Sequence, residues 1–410
     1  VLLFGLVLLP FLPHFIKGGE EIEHITLIYI IYVLGSASSY LLSYKSSIYQ
    51  AYQKGYIRAG WNMVCELLKT ILQTTVLLLT GNFILYLVVQ QVVQLLPSIM
   101  VSHRADHEFP YLKECHELPE KEERNGILKN IGAMSMHKLA TVIVNNTDSL
   151  LMSSFIGLTA VGIYSNYRMV IINVQNIIVK LLSAFTGSVG NLSASEEPAK
   201  VYRIYREMDF MFFVLNAYFA AGMFILINPF IAIFFGEQYC FSTVTVALII
   251  TSFFITGLRR VNLIFREGMG LFWNDRYKAV AESIINLVVS LLLVKPFGIA
   301  GIVGGTIIST VTTCAWIEPY VLMKHGIKED WQVRLRRYFA EYAQHCALTA
   351  ALSAAGWYAA SRFPIDHIGK FLAAGVLYTI VFAAVILLCY RKTEEYSSLK
   401  ARCFALVRRK

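Results

Sequence analysis

Charge is scarce in this sequence. Only 15% of its 410 residues are Asp, Glu, Lys or Arg, whereas soluble domains carry about 25%, which argues against a cytosolic enzyme. Paired cysteines are lacking too. The seven (Cys65, Cys115, Cys240, Cys314, Cys346, Cys389 and Cys403) share no recurring spacing, so neither a disulfide framework nor a zinc knuckle is implied. No Gly-x-x-x-x-Gly-Lys-Ser/Thr loop occurs, which excludes nucleotide hydrolysis by that route. Long polar segments are missing as well. The longest loop between apolar blocks, 101–128, is too short for a soluble catalytic domain.

What remains is apolar: 56% of the residues are hydrophobic and the mean hydropathy is +0.57. The apolar residues come in blocks such as 83–100, 170–185, 210–235 and 371–390, and blocks of about 17–25 residues match the hydrocarbon thickness of a bilayer. Hydropathy predicts twelve spans, at 1–16, 25–43, 62–80, 82–100, 129–156, 160–190, 209–230, 240–258, 278–295, 299–323, 342–360 and 369–390. The expected fold is therefore all-α, a polytopic membrane protein.

The loops alternate in charge. Of the 36 Lys and Arg, 28 fall in every second loop and the C-terminal tail. The opposite side holds Lys17, Lys295, Arg362 and Lys370, while Lys69, Lys138, Arg168 and Lys180 lie inside spans. The positive-inside rule places the C-terminus in the cytoplasm and makes the net charge of +9 topological, with no nucleic-acid partner. Segment 324–341 alternates basic with apolar residues; it reads either as an amphipathic helix on the inner leaflet or as a topology-setting loop. His103, His107, Cys115 and His116 could hold a metal, but their Glu-rich loop reads as solvated linker and no metal site is expected.

An offset of 216 residues superimposes the first four spans on spans seven to ten without a gap. Pro13 falls on Pro229, Trp61 on Tyr277, Val64 on Val280 and Glu66 on Glu282. Both copies keep one orientation, a parallel repeat of the kind found in secondary transporters. The expected layout is a first-lobe remainder of four spans (1–100), a cytoplasmic linker (101–128) and a six-span second lobe (129–323). An amphipathic helix, two extra spans and a basic tail follow (324–410). On the repeat argument the first lobe is N-terminally truncated: about 85–90 residues with two further helices would precede Val1 and bring the total to fourteen.

Asn145-Asn146-Thr147-Asp148-Ser149-Leu150, followed by Gly157-Leu158-Thr159-Ala160-Val161-Gly162-Ile163-Tyr164-Ser165, resembles the start of the second lobe in polysaccharide flippases. Gly298-Ile299-Ala300-Gly301-Ile302-Val303-Gly304-Gly305-Thr306 is similar to their last lobe helix. These proteins belong to the superfamily of multidrug exporters, lipid-linked oligosaccharide flippases and the peptidoglycan-precursor flippase. The resemblance implies a bacterial inner-membrane protein moving polyprenyl-pyrophosphate-linked sugars outward by alternating access. It also implies partnership with a glycan polymerase and glycosyltransferases of the same pathway.

Ionisable groups inside spans cost several kcal/mol unless paired or hydrated, so each is a candidate for function. Asp148 and Arg168 fall at about the same depth on consecutive helices, about 12 Å below one surface. They read as a buried pair, either a cavity pair that a substrate phosphate or ion opens or a structural one. Lys138, Thr141, Asn145 and Asp148 share one helical face, a polar stripe turned to a central cavity. Lys180 lies near the depth of Lys138; both could attract a diphosphate, or Lys180 could snorkel to the interface. Gln90 and Gln94 place amides at mid-membrane, to bond sugar hydroxyls or to join helices. Glu66 and Glu282 read as structural, and Gly298, Gly301, Gly304 and Gly305 as close helix packing.

The leading expectation is a flippase driven by an ion gradient (H+ or Na+) or by the membrane potential, with no other cofactor. It would be a transporter rather than an enzyme, acting on lipid-linked oligosaccharide within the lipid bilayer. A multidrug exporter of the same superfamily would more naturally carry acidic cavity groups. A membrane-embedded glycan polymerase or ligase would need a larger external loop than the sequence has.

Overall fold

The computed structural model describes residues 5, 7–11, 23–41, 45–52, 54–111, 120, 124–125, 128, 146–271 and 274–408. Among them there is helix and no strand, the all-α architecture expected of a polytopic membrane protein. Among the described residues six helices are long and apolar enough to cross a membrane. The chain divides into two compact units, Val1–Ala133 and Met134–Lys410.

The first unit contains α1 (Ile25–Leu41), α2 (Ser46–Ala51), α3 (Gly55–Thr80) and α4 (Phe83–Glu108). Helices α3 and α4 form a hairpin because the two residues between them terminate one helix and start the next. Gly81 is left-handed (φ +62°) and its N–H returns to the Leu77 carbonyl, a geometry that costs glycine nothing. Asn82 then caps α4 by accepting from the Leu85 N–H at 3.1 Å. Leu78 and Leu79 are about 80% exposed, which suits hydrocarbon as the surrounding solvent and would be costly in water.

Helix α4 runs eight residues past the predicted span end at 100. Packing extends it: Val101, Ala105 and Phe109 close over Tyr49 and Ile57. Beside this cluster Lys45 pairs with Asp106 at 2.5 Å, and Lys54 pairs with Glu108. The first turns of the expected linker are thus helix, because a span ends where polarity begins and a helix ends where its contacts do.

The second unit is built around α6 (Pro198–Phe234), which follows α5 (Leu158–Ser195). Half of the apolar window of α6 is buried. Its small residues Ala217, Ala220, Ala221 and Gly222 let neighbouring helices approach. A Cβ on Gly222 would lie 2.9 Å from the Tyr378 ring. Asn216 crosses to α7 (Thr243–Leu258) by donating to the Phe254 carbonyl at 2.7 Å. The short α8 (Arg260–Gly268) follows and buries Val261, Asn262, Ile264 and Phe265.

Residues 278–309 form α9 (Lys278–Ser309), which reverses at Gly298 (φ +58°, ψ −130°) into a hairpin of two arms. Ser290 Oγ donates to the Ile302 carbonyl at 3.2 Å and Asn286 Nδ2 to Thr306 Oγ1 at 2.9 Å, which fixes the register. Gly301 and Gly305 permit the approach, since a Cβ on either would meet Leu293 backbone or Ser290 within 2.2 Å. Gly304 has ordinary contact only. Under the 216-residue offset this reversal coincides with the α3–α4 turn, Asn82 falling on Gly298.

The second arm continues into α10 (Ala315–Val321), and the chain ends with α11 (Trp331–Arg362), α12 (Ile368–Tyr390) and α13 (Glu394–Arg408). Two predicted spans, 160–190 and 342–360, lie on α5 and α11, both long enough to cross a membrane. Segment 324–341 is no separate surface element: from Trp331 it is continuous with α11, and Tyr338 is buried against the core around α6 and α8.

Candidate functional site

The polar groups of the second unit converge on the α9 hairpin. Along its first arm Glu282, Asn286 and Ser290 recur at four-residue spacing, one helical face of an otherwise apolar segment. Thr306 and Thr310 do the same on the second arm. Asp148 reaches this face: both carboxylate oxygens accept from Thr306 Oγ1, at 3.2 and 3.3 Å, and Asn286 donates to the same hydroxyl. Asn286 is 1% exposed, and its Oδ1 is buried without a hydrogen-bond partner. A buried unpaired acceptor costs free energy unless something completes it.

The predicted Asp148–Arg168 ion pair does not form. Arg168 instead donates from Nη1 to Ser149 Oγ at 3.2 Å, although its charge lies near enough to act on the Asp148 carboxylate. Equal depth brings the two residues together only if the helices on both sides are regular. Met152–Ile156 is wound as a π-helix, the Gly157 N–H returning to the Met152 carbonyl at 2.9 Å, and the chain turns at Gly157 (φ +127°). The wider turn changes the register between the two residues.

One turn further along the hairpin the polar contacts become ionic. Glu282 accepts from Arg259 Nη1 at 3.3 Å and from Thr310 at 3.5 Å. Glu318, fully buried, receives two hydrogen bonds from Arg259 and one from Lys278. Lys278 reaches Asp275 at 3.5 Å, and Asp275 also pairs with Arg266. Asp275 and Lys278 are themselves buried, so these charges are neutralised within the protein. Glu282 was expected to be structural, and its partners fit that role.

Lys138 and Asn145 lie outside the described residues, as do Cys115 and His116. Lys180 is exposed on α5. In the first unit Gln90 accepts from Gln73 at 3.3 Å. Gln94 borders a cavity of about 230 Å³ that also touches Glu66 and Lys69, themselves paired at 2.6 Å. These amides therefore join helices in one case and face open space in the other.

Sequence reasoning missed Asn286, Thr306 and Arg259. The signal was present as the four-residue recurrence of Glu282, Asn286 and Ser290, whose partners become visible only once Gly298 reverses the chain. The group that meets the Asp148 carboxylate is the Thr306 hydroxyl, an oxygen environment that suits a proton or a hard cation.

The family comparison agrees with the motif resemblance. Residues 1–186 match the family described as polysaccharide biosynthesis protein. That stretch includes Asp148 and Arg168, while the α9 hairpin lies beyond it. The match is consistent with a member of the polysaccharide flippase superfamily. No curated protein and no solved structure matches the chain.

Proposed function

We propose that this chain is a secondary transporter that flips polyprenyl-pyrophosphate-linked oligosaccharide between leaflets during surface polysaccharide biosynthesis. The observation that carries the reading is the family match over residues 1–186, the stretch that contains Asp148 and Arg168. Asp148 and the Thr306 hydroxyl would supply a place for a coupling proton or cation, with the unpaired Asn286 oxygen buried on the same hairpin. Binding there would favour one arrangement of the α9 hairpin against Asp148, and the gradient would thereby drive alternating access. Arg168 and Lys138 are proposed to attract the diphosphate of the substrate, and Gln94 to contact sugar hydroxyls. The excess of Lys and Arg in alternate loops and the tail supports a cytoplasmic C-terminus in a bacterial inner membrane, where glycosyltransferases and a polymerase would act before and after the flip.

The test is complementation in a host deleted for its own flippase. Expression of the intact protein should restore surface polymer and clear lipid-linked precursor from the inner leaflet. A polymerase would behave differently: its loss leaves single repeat units delivered outside but unjoined. Precursor found on the outer face in the deletion strain would overturn the flippase reading.

A further inference from the structure

A second polar cavity, of about 340 Å³, lies where α6, α11 and the α12–α13 junction meet. It uses none of the residues proposed for transport. Helix α12 is a span of mean-apolar residues ending at Tyr390, and Lys392, Thr393 and Glu394 follow at once. The cavity therefore sits at the level where hydrocarbon gives way to headgroups, on the side of the C-terminal tail.

Its walls are fixed by ion pairs. Arg206 on α6 pairs with Glu341 on α11 at 2.9 Å and with Glu395 on α13, and Arg337 pairs with Glu341 at 2.9 Å. Three groups at this cavity have no hydrogen-bond or ion-pair partner among the described residues: Asp209 and His345 inside the walls, and Lys392 exposed at the rim. His345 is 6% exposed and held flat on Phe213, with ring centroids 3.6 Å apart and planes within 6°. Its stacked ring cannot turn away to find a partner. The Nε of Arg206 is likewise buried and unpartnered. A rigid, half-satisfied polar cavity of this kind is costly unless a ligand completes it.

The unpaired groups specify the ligand. Asp209 is an acceptor-only carboxylate held inside, and a neutral His345 offers a ring nitrogen as acceptor, so the inner part calls for a cation with several N–H donors. Lys392 at the rim calls for an anion a few bonds away. Ethanolamine phospholipids carry a primary ammonium and a phosphate so spaced and remain tethered at this depth, whereas serine phospholipids add a carboxylate that Asp209, Glu341, Glu394 and Glu395 would repel. We propose that the cavity binds the headgroup of a phosphatidylethanolamine-type lipid, its ammonium on Asp209 and His345 and its phosphate on Lys392. Choline headgroups lack N–H donors, and glycerol headgroups lack the cation that Asp209 requires.

Native mass spectrometry of the purified protein tests this, with equimolar ethanolamine, choline and glycerol phospholipids of identical acyl chains. The ethanolamine lipid should be retained about tenfold over each of the others, the discrimination of one charge-assisted hydrogen bond. Asp209→Asn should abolish that preference. Lys392→Ala, on an exposed residue, should weaken retention of the ethanolamine lipid with no change in melting temperature in lipid-free detergent. Free phosphoethanolamine at the same concentration should leave the adduct intact. Equal retention of the choline lipid, an unchanged preference in both variants, or displacement by free phosphoethanolamine would each overturn the proposal.

Discussion

Arg259 grips Glu318 with two parallel hydrogen bonds, Nε to Oε2 at 3.0 Å and Nη2 to Oε1 at 2.6 Å, and the carboxylate is wholly shielded from solvent. The pair ties the α7–α8 junction to α10, and through Lys278 and Glu282 to the first arm of the α9 hairpin. Such a buried network is not itself a large source of stability, because desolvation offsets attraction. Removing one partner is different, since the other charges are left buried and uncompensated.

Glu318→Ala should therefore destabilise the protein by about 3–5 kcal/mol, the cost of an orphaned buried ion. Glu318→Gln should cost less, because an amide keeps one hydrogen bond to Arg259. Adding Arg259→Met to Glu318→Ala should recover part of the loss, as contacting residues do not act additively. Melting followed by fluorescence-detected size exclusion orders the three variants. A double variant no more stable than Glu318→Ala would show that Arg259 is satisfied elsewhere.

The α9 hairpin makes a second, sharper contrast. A Cβ at Gly301 would stand 2.1 Å from the Leu293 carbonyl oxygen, a backbone atom that cannot swing aside. At Gly304 the nearest neighbour is the Leu293 Cδ1 at 3.9 Å. Gly301→Ala should cost about 1–3 kcal/mol by overpacking, while Gly304→Ala should be near neutral. Equal melting temperatures for the two variants would mean that the arms pack less closely than this register requires.

Much of this fold was legible because a bilayer simplifies the problem. Apolar length alone located the α3–α4 turn, the α9 reversal and α12 to within a few residues. The in-span charges were less legible, for a physical reason. Hydropathy gives depth along a helix but not the rotation between helices, and the π-turn at Met152–Ile156 altered that rotation where Asp148 and Arg168 were expected to meet. Arg259 follows the predicted span 240–258 and Glu318 falls in the last turns of 299–323, near the surface where a charge is cheap and draws no notice. Their burial follows from α11 packing over the base of the lobe, an interaction no local pattern announces.

Asp148 carries the prediction closest to mechanism. Asp148→Asn keeps the size of the side chain and its ability to accept from Thr306, so the fold should persist and the variant should reach the membrane at normal levels. It removes the charge that a cation or proton would require. Precursor should then accumulate on the inner leaflet as in the flippase deletion. Any stabilisation of the purified protein by sodium should disappear, while Gln90→Ala on the other unit should leave it unchanged. Asn286→Ala should act in the same direction but less strongly, because it removes a neutral acceptor and leaves the carboxylate. If Asp148→Asn exports polymer at the wild-type rate, the coupling ion binds elsewhere, and the Thr306 contact only orders the lobe.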